Sequence, residues 1–317
     1  MRHRIARRFP PIASLLRQRD SLGAEVRKLE SELDAIRRSA EDAPQMFPPG
    51  HYYSPVPSLA DISARQERIF AVPHELPEID LAEQQQLGFL RDIAPFAQDA
   101  DLVEHATQGH RYYLDNDFFS FGDGVVLQSI LRSQRPRRLI EVGSGYSSAL
   151  ILDTSERYLN GALHCTFIEP DPERLHGLLN NADCDRCEIV VSPLQDLDLA
   201  FIEDLGPNDV LFIDSSHVSK AGSDVNLLIF DVLPRLQSGV FVHFHDIFYP
   251  FEYLKEWVKE GRCWNEAYIL RAYLQRNSGY RIRVWNSYLA ERHRDEAAAL
   301  LPRWDRNTGG SLWLQRT

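Results

Sequence analysis

The chain has 317 residues, of which 44% are hydrophobic and 26% are charged. This length and composition indicate one substantial folded domain with additional elements, and they exclude a small disulfide scaffold and a disordered chain. The formal net charge of −11 argues against nucleic acid as the principal partner, because phosphate binding uses clustered Lys and Arg. A small-molecule or saccharide substrate fits this charge better.

The cysteines and the apolar runs bear on the cellular compartment. Four cysteines occur, and Cys184 and Cys187 form a single C-x-x-C without a second pair at zinc-finger spacing, so we interpret all four as reduced thiols. The basic first residues are followed by Pro10 and Pro11 rather than by the long apolar segment of a signal peptide. Because no run approaches about 18 apolar residues, we expect no membrane span and a cytoplasmic protein.

Residues 1–43 are predicted to form a helical extension. Apolar residues recur at heptad spacing between 12 and 40, with Leu22 and Leu29 at one seam position and Val26 at the other. The pattern is also consistent with a helix that packs on its own domain. We favour a short coiled coil that joins copies of the chain into a homo-oligomer.

A proline-rich linker and a helical cap follow this extension. Residues 44–58 contain five prolines, which exclude a regular helix or a central strand. Residues 59–134 have a mostly helical pattern that ends in a helix at 121–131. The candidates for a lid over the site, all in this cap region, are Asn116, Phe118 and Phe119.

Residues 135–317 alternate between apolar strands and helical stretches, a pattern typical of a parallel sheet. Strands are predicted near 138–142, 164–168, 187–191, 209–213, 239–244, 280–285 and 311–315. In the last third of the domain, helices are predicted around 252–275 and 291–301. The fold class is therefore α/β, with a doubly wound, mostly parallel, seven-stranded Rossmann-like sheet whose ligands bind at the strand carboxyl ends.

The first strand runs into a glycine turn. After residues 138–142, Gly143 and Gly145 allow the backbone to turn tightly and to approach a ligand closely. A dinucleotide-binding fold would require a third glycine where this chain has Ser148. Glu141 would repel a diphosphate but could accept hydrogen bonds from an ammonium group. The turn therefore predicts a cationic ligand without phosphate.

Polar residues at other strand ends complete a cofactor site. Glu169 follows the second strand, at the position from which an acid grips the two hydroxyls of a ribose. Together with the glycine turn, it resembles the class I S-adenosylmethionine-dependent methyltransferases. The resemblance implies adenine contacts from Gln195 and Asp196 after the third strand. The full set of predicted cofactor residues is Glu141, Gly143, Ser144, Gly145, Tyr146, Ser147, Glu169, Gln195, Asp196 and Asp214.

Two strand ends carry the candidate catalytic residues. Asp214 and His217 follow the fourth strand, and His245 and Asp246 follow the fifth, so these side chains should converge on one crevice. Methyl transfer from a sulfonium to a hydroxyl requires the enzyme to position the acceptor, exclude water and remove one proton. Histidine suits proton removal because its pKa is close to neutrality, and His217 is the first candidate for the base, ahead of His245. Alternation along the strand directs His243 into packing instead.

Asp214 and Asp246 could alternatively bind Mg2+, which would lower the pKa of the acceptor and orient it. The arrangement resembles the metal-dependent macrocin-type sugar O-methyltransferases, in which the histidine of the first motif is the base and the carboxylates bind magnesium. That resemblance implies His217 as the base and the two aspartates as ligands. His245, however, stands where that family has a carboxylate, and hard cations favour all-oxygen shells.

A larger part of the chain, residues 50–290, resembles the methyltransferase 24 type. The resemblance rests on the segments 214–226, 245–253 and 264–266, and it implies methyl transfer with saccharide or secondary-metabolite hydroxyls as acceptors. Aromatic side chains near the site are of the kind that stack on a sugar face. These aromatic residues are Phe248, Tyr249, Phe251, Tyr253 and Trp264.

The sequence therefore predicts an S-adenosylmethionine-dependent O-methyltransferase that acts on a sugar, glycan or secondary-metabolite hydroxyl. One alternative is a non-catalytic cofactor-binding or scaffold protein of a glycan assembly system, which oligomerises through residues 12–40. Another is a nicotinamide-dependent oxidoreductase, which Glu141 and the missing third glycine disfavour. The choice between oxygen and nitrogen as the methylated atom stays open.

Overall fold

The computed structural model describes Leu22, Val26, Leu29, residues 46–180, Asp183 and residues 186–317. The chain divides into two compact units, Met1–Leu59 and Ala60–Thr317. In the first unit, Leu22, Val26 and Leu29 are helical, and they are 61%, 51% and 57% exposed. The other heptad positions and Cys184 lie outside the described residues, so the coiled coil stays a prediction.

The proline-rich segment of the first unit consists of turns. Residues 46–58 contain neither helix nor strand. The ring of Phe47 stacks on that of His51 with centroids 4.7 Å apart, and Tyr52 and Tyr53 are exposed. The segment therefore presents aromatic surface although its backbone is irregular.

The cap region contains two short and two long helices. These are α1 (Leu59–Ala64), α2 (Gln66–Ile69), α3 (Glu83–Gln98) and α4 (Phe121–Gln134). In α3 the buried residues Leu87, Leu90 and Ile93 recur at helical spacing, which explains the amphipathic pattern of the sequence. Nearly all of α4 is buried, so α4 is a core helix immediately before the sheet.

The described residues form a sheet of seven strands, as predicted. They are β1 (Arg138–Val142), β2 (His164–Ile168), β3 (Cys187–Val190), β4 (Val210–Ile213), β5 (Phe241–Phe244), β6 (Tyr280–Trp285) and β7 (Leu312–Arg316). Their order is β3-β2-β1-β4-β5-β7-β6, with β1 to β5 parallel and β7 antiparallel to both of its neighbours. The strand order reverses between β1 and β4, so a crevice opens at their carboxyl ends.

Helices connect these strands on both sides of the sheet. They are α5 (Tyr146–Tyr158), α6 (Glu173–Leu178), α7 (Ala200–Glu203), α8 (Asp224–Leu227), α9 (Lys255–Glu260), α10 (Glu266–Leu274), α11 (Asn286–Arg292) and α12 (Arg294–Leu300). A π-helical turn, Leu228–Val232, and a 3-10 turn, Leu233–Arg235, continue α8. Among the described residues, no helix is long and apolar enough to cross a bilayer.

Two of the predicted helices were wrong in their extent. The single helix expected around 252–275 is divided into α9 and α10, because Gly261 adopts a left-handed φ of 89° and ends α9. The helix expected at 291–301 begins earlier and is also two helices, α11 and α12. The first division has a consequence for the site, since it places Glu266 at the start of α10.

Candidate active site

The glycine turn after β1 is locked between the neighbouring strands. Gly143 has a φ of 82°, and a Cβ at this position would overlap the carbonyl oxygen of Asp214. The amide of Gly143 donates to the carbonyl of Ile168 at 2.9 Å, and the amide of Asp214 donates to the carbonyl of Val142 at 2.8 Å. Only glycine satisfies both the backbone conformation and the space at this position.

Glu141 lies beneath the turn rather than in the open cleft. Its Oε2 accepts a short hydrogen bond from Ser148 Oγ, and Ser148 in turn accepts a hydrogen bond from the amide of Gly145 at 3.0 Å. Burial raises the pKa of Glu141 to about 8, although hydroxyl groups including Ser147 and Ser148 oppose the shift. Ser148, which stands where a dinucleotide-binding fold has its third glycine, therefore links the turn at Gly145 to the buried Glu141.

A cleft of about 370 Å³ opens at the strand ends. It is lined by Val142, Gly143, Ile168, Glu169, Pro170, Pro193, Leu194, Gln195, Asp214, Ser215, Ser216, Lys220, Ser223 and Asp224. Four predicted cofactor residues thus meet in one cavity, although they come from four different strand ends. The other predicted residues do not line it: they are Glu141, Ser144, Gly145, Tyr146, Ser147 and Asp196.

Glu169 supports the cleft from one side. Its Oε2 accepts a hydrogen bond from the amide of Ser144, and its Oε1 accepts one from the amide of Asp171, both at 2.9 Å. The carboxylate of Glu169 therefore fixes the glycine turn while its side chain faces the cavity.

His217 follows the cleft residues Asp214, Ser215 and Ser216, and three carboxylates lie around its ring. Its Nε2 is 3.2 Å from Asp214 Oδ1 and 3.9 Å from Asp246 Oδ2, and its Nδ1 is 2.8 Å from Glu266 Oε2. The ring is buried, which would lower its pKa, but hydrogen bonds and charge interactions with Asp214 and Glu266 raise the pKa of His217 well above its ordinary value. His217 also has a left-handed φ of 58°, an uncommon conformation for a residue with a side chain.

His245 and Asp246 extend this cluster into the core. His245 Nε2 is 3.5 Å from Asp246 Oδ1. Burial alone would lower the pKa of His245, but the charges of Asp246, Asp214 and Asp123 raise it to about 9. His245 is therefore positively charged among acids, as is His217, but His217 is the first candidate because its Nε2 lies 3.2 Å from Asp214, which lines the cofactor cleft.

His243 has a structural role, as the strand alternation predicts. Its Nε2 lies 2.9 Å from Ser311 Oγ, and its ring stacks on Phe212 with centroids 3.8 Å apart. Burial lowers the pKa of His243 well below its ordinary value, so the ring is neutral.

The aromatic side chains near the site form two groups. Tyr249, Phe251 and Tyr253 are buried and belong to the core. Phe248 and Trp264 are half-buried; the ring of Phe248 lies 5.4 Å from that of Trp257, and the ring of Trp264 lies 4.3 Å from that of His217. Trp264 is therefore the predicted aromatic residue that borders the candidate base.

The three lid candidates have different roles. Asn116 stabilises its own loop, because its side chain bonds to the carbonyl of Phe119 and to the amides of Phe118 and Phe119. Phe119 is buried, with its ring 5.3 Å from that of His245. Phe118 is exposed, and it stacks between Tyr146 and the guanidinium of Arg174. Of the three, Phe118 is the one at the surface beside the helix start.

The donor set does not fit magnesium. Across the described residues, no group of three or more His, Cys, Asp or Glu is arranged to hold a metal ion. Asp214 and Asp246 have His217 Nε2 between them, and the raised pKa of this ring makes it a competing cation. A hard divalent cation requires several oxygen ligands at short range, which this arrangement does not offer.

Two residues of the cluster escaped the sequence analysis. Glu266 lies within a segment that carries the methyltransferase 24 resemblance, but its partner His217 is far away in the sequence. Asp123 is buried in α4 and accepts hydrogen bonds from the amide and hydroxyl of Ser311. The sequence signal that could have identified both residues is an acid within a largely apolar helical segment.

Comparisons with known proteins identify the family of this chain. The family described as a methyltransferase domain, of the methyltransferase 24 type, matches residues 140–247, which span the turn, the cleft and both candidate histidines. An uncharacterized protein of Archaeoglobus fulgidus is 33% identical over 170 residues, which are 52% of this chain and 76% of the relative.

Solved structures with similarity to this chain include two methyltransferases. One is the SAH-bound Podospora anserina methyltransferase PaMTH1, at 15% identity and a TM-score of 0.40; the match covers 81% of this chain and 94% of the PaMTH1 chain. The other is the O-methyltransferase TomG from Streptomyces achromogenes, in complex with SAM, at 15% identity and a TM-score of 0.39; the match covers 81% of this chain and 96% of the TomG chain. Similarity at this level is too low to transfer a substrate or site residues.

The sheet order, the glycine turn and the cleft at the strand ends define a class I methyltransferase. The chain belongs to the methyltransferase 24 family and is an S-adenosylmethionine-dependent methyltransferase. The nicotinamide alternative therefore does not apply to this chain.

Proposed function

We propose that the chain transfers the methyl group of S-adenosylmethionine to a hydroxyl of a sugar, glycan or secondary metabolite, with His217 as the general base. The observation that carries this proposal is the position of His217 Nε2, 3.2 Å from a carboxylate that lines the cofactor cleft. Trp264, beside the ring of His217, provides a flat apolar surface against which a sugar or aromatic ring can stack.

The reaction is a single displacement. The acceptor oxygen attacks the methyl carbon, the bond from that carbon to sulfur breaks, and sulfur keeps the electron pair as S-adenosylhomocysteine is formed. The hydroxyl proton passes to His217 Nε2. This chain positions the acceptor and removes the proton, while the sulfonium supplies the driving force.

We assign cofactor contacts to the residues of the cleft. Glu169 would accept hydrogen bonds from the ribose hydroxyls, and Gln195 would contact the adenine. The backbone at Gly143 would approach the amino acid part of the cofactor. Glu141 and Ser148 would support this turn from below. A cytoplasmic location, which the expectation of reduced thiols supports, belongs to the same proposal.

The experiment is calorimetric titration of the full chain with S-adenosylmethionine and S-adenosylhomocysteine, with and without magnesium. Micromolar binding to wild type and a loss of at least about tenfold in Glu169→Ala are expected, because two ribose hydrogen bonds would be lost. Glu173→Ala, an exposed acid on α6, is the matched control. Absence of binding in wild type would contradict the proposed activity.

An acceptor screen follows from positive binding. Transfer of a radiolabelled methyl group to sugars, glycans and phenolic metabolites would identify the acceptor class, and the position of the label would distinguish oxygen from nitrogen. Methylation that is equally fast in His217→Gln would remove the assignment of the base.

A second function, a scaffold that oligomerises through the N-terminal extension, is supported by one observation. Leu22, Val26 and Leu29 are helical, exposed and spaced as a heptad seam. Deletion of residues 1–45 is then expected to convert an oligomer into a monomer in light scattering, while binding of S-adenosylhomocysteine is unchanged. A full-length chain that is itself a monomer would contradict this second function.

A further inference from the structure

Glu266 is a buried carboxylate with both oxygen atoms engaged. Its Oε2 lies 2.8 Å from His217 Nδ1, and its Oε1 accepts a hydrogen bond from Ser215 Oγ at 3.0 Å. The side chains of Glu266 and His217 are only 1% and 7% exposed. A buried acid that is held in this way fixes the orientation of the ring to which it bonds.

The backbone fixes the same geometry. The carbonyl oxygen of His217 accepts hydrogen bonds from the amides of Asn265 and Glu266 at 3.0 and 3.1 Å. The side chain of Asn265 accepts a hydrogen bond from the amide of Ser219 at 2.6 Å. These hydrogen bonds therefore hold the loop after β4 against the start of α10 at His217.

The carboxylate of Glu266 determines which nitrogen of the His217 ring holds a proton. An ionised carboxylate only accepts hydrogen bonds, so it selects the form of the imidazole ring that carries a proton on Nδ1. Nε2 also faces a carboxylate, that of Asp214, so the ring carries a proton on both nitrogens until the pH rises above its raised pKa; Nε2, beside a residue of the cofactor cleft, is then the atom that exchanges a proton with a substrate. In this structure Nε2 points towards Asp214, which lines the cofactor cleft.

We propose that Glu266 is the positioning residue of His217: it accepts the Nδ1 proton and thereby directs Nε2 towards the acceptor hydroxyl. This inference rests on the proposed function, because it takes His217 as the general base. Glu266 does not itself line the cofactor cleft, although its Oε1 accepts a hydrogen bond from Ser215, which does, and its proposed effect on the acceptor passes through His217. It has the role that an acid has when it orients a histidine base in a hydrolase.

The first test needs no acceptor and reads the protons of the ring directly. In full-length protein with 15N-labelled histidine, long-range 1H–15N NMR at a pH above the raised pKa of His217 should show a protected proton on Nδ1 of His217, with His217→Gln assigning the signal. In Glu266→Gln the new amide oxygen can still accept the hydrogen bond from Ser215 Oγ, which leaves the new NH2 group to donate to Nδ1. Because Nδ1 must then be unprotonated, the proton of the neutral ring should move to Nε2. Glu256→Gln, which changes an exposed acid on α9, should leave the spectrum unchanged.

The NMR result decides the inference by itself. A wild-type His217 without a proton on Nδ1 would overturn it, and so would a Glu266→Gln spectrum identical to wild type. Binding of S-adenosylhomocysteine to Glu266→Gln is measured alongside, and an affinity within about twofold of wild type is expected from a residue that acts through the base. A loss of this binding would mean that Glu266 supports the cleft as a whole, which also overturns the positioning role.

The second test uses the acceptor found by the screen. Glu266→Gln should lower kcat by at least about tenfold, because the base presents the wrong ring nitrogen, with KM for S-adenosylmethionine nearly unchanged. Glu266→Asp, which keeps the charge, should recover part of the loss. An unchanged kcat in Glu266→Gln overturns the positioning role alone, whereas an unchanged kcat in His217→Gln overturns the assignment of His217 as the base, on which the positioning role rests.

Discussion

The charge state of His217 governs the site at the scale of single residues. Burial would lower its pKa, but Asp214 and Glu266 raise it well above the ordinary value. As the proposed base, His217 must be unprotonated before it can accept a proton, so the rate of methyl transfer is expected to increase with pH as His217 loses its proton. The carboxylates that orient the ring therefore also shift its working range to alkaline pH.

Replacement of His217 by glutamine tests this role. His217→Gln is expected to lower kcat by about 100- to 10,000-fold, because glutamine fills the space but cannot remove a proton. The measurement is radiolabelled methyl transfer across roughly pH 6 to 9, where the wild-type rate should rise and the residual rate of the variant should be flat.

The matched control for this substitution is His176→Gln, on the exposed side of α6. It should retain wild-type activity and the wild-type pH profile. A His217→Gln variant with a rising profile close to that of wild type would show that another group removes the proton.

Gly143 is the second residue whose identity is dictated by its surroundings. Gly143→Ala should lower the free energy of unfolding by about 1–2 kcal/mol through left-handed backbone strain alone, and overlap with the Asp214 carbonyl should add to this loss. Urea denaturation and titration with S-adenosylhomocysteine would measure both the stability and the damage to the cleft.

Gly177→Ala provides the comparison for Gly143→Ala. Gly177 lies within α6 with open space around it, so alanine there should be neutral or should stabilise by up to about 1 kcal/mol. Equal stability of the two variants would mean that the turn after β1 can relax, and that its geometry is not fixed by Asp214.

At the scale of elements, Arg111 connects the cap region to the sheet domain. Its guanidinium donates to Asp153 in α5 at 2.7 Å and to Asp183 at 2.6 and 2.8 Å; both carboxylates are buried, and the arginine side chain is 9% exposed. It also contacts Glu156 at 2.9 Å. This contact set keeps the loop of the lid candidates against the helix that begins at the glycine turn.

Removal of this arginine should be costly. Arg111→Met is expected to lower the free energy of unfolding by about 3–5 kcal/mol, because two buried carboxylates lose their counterion. The matched variant Arg91→Met removes an exposed pair with Glu296 and should change stability by no more than about 1 kcal/mol. Similar midpoints for the two variants in urea denaturation would contradict this view of the connection.

The strands and the cleft were predictable because their signals are local. A strand that is buried on both faces is a continuous apolar run, as in β4, and Gly143 marks the turn within the same short segment. Since parallel strands end at one edge of the sheet, Glu169, Gln195 and Asp214 could be expected to line one cavity.

The convergence of His217 with Asp214 and Asp246 was predicted, but its contact with Glu266 was not predictable, because it joins distant segments. Glu266 reaches the ring only because Gly261 divides the helical stretch and a second helix starts at Glu266 itself. The sequence pattern favoured one long helix, since the apolar spacing continues across the break. Hydrogen bonds such as that from Ser215 to Glu266 depend on side-chain geometry that a sequence pattern does not contain.

At the scale of the whole molecule, the centre of the sheet contains an unusual number of buried titratable groups. Glu141, Asp123, His243 and His245 are all buried at or beside the carboxyl ends of the strands. Such groups cost folding free energy when they must be charged or must stay neutral against their ordinary pKa. The site therefore makes the stability of the protein depend on pH.

Glu141 gives this dependence a definite sign. Burial raises its pKa to about 8 from an ordinary value of 4.5, so between these values the folded chain holds a proton that the unfolded chain has released. The unfolded state then binds fewer protons, and the free energy of unfolding falls as pH rises through this window. The contribution of Glu141 to this loss should be on the order of 3 kcal/mol between about pH 5 and 8.

Glu141→Gln isolates this contribution, because glutamine cannot titrate. The free energy of unfolding of Glu141→Gln and of wild type is measured by urea denaturation at several pH values. The difference should grow in favour of the variant as pH rises, because the contributions of the other titrating groups are the same in both proteins and cancel. Glu173→Gln, at an exposed site on α6, should show no such growth. A difference that is constant with pH would mean that Glu141 titrates alike in the folded and unfolded chains, and that the hydrogen bond from Ser148 compensates its burial in full.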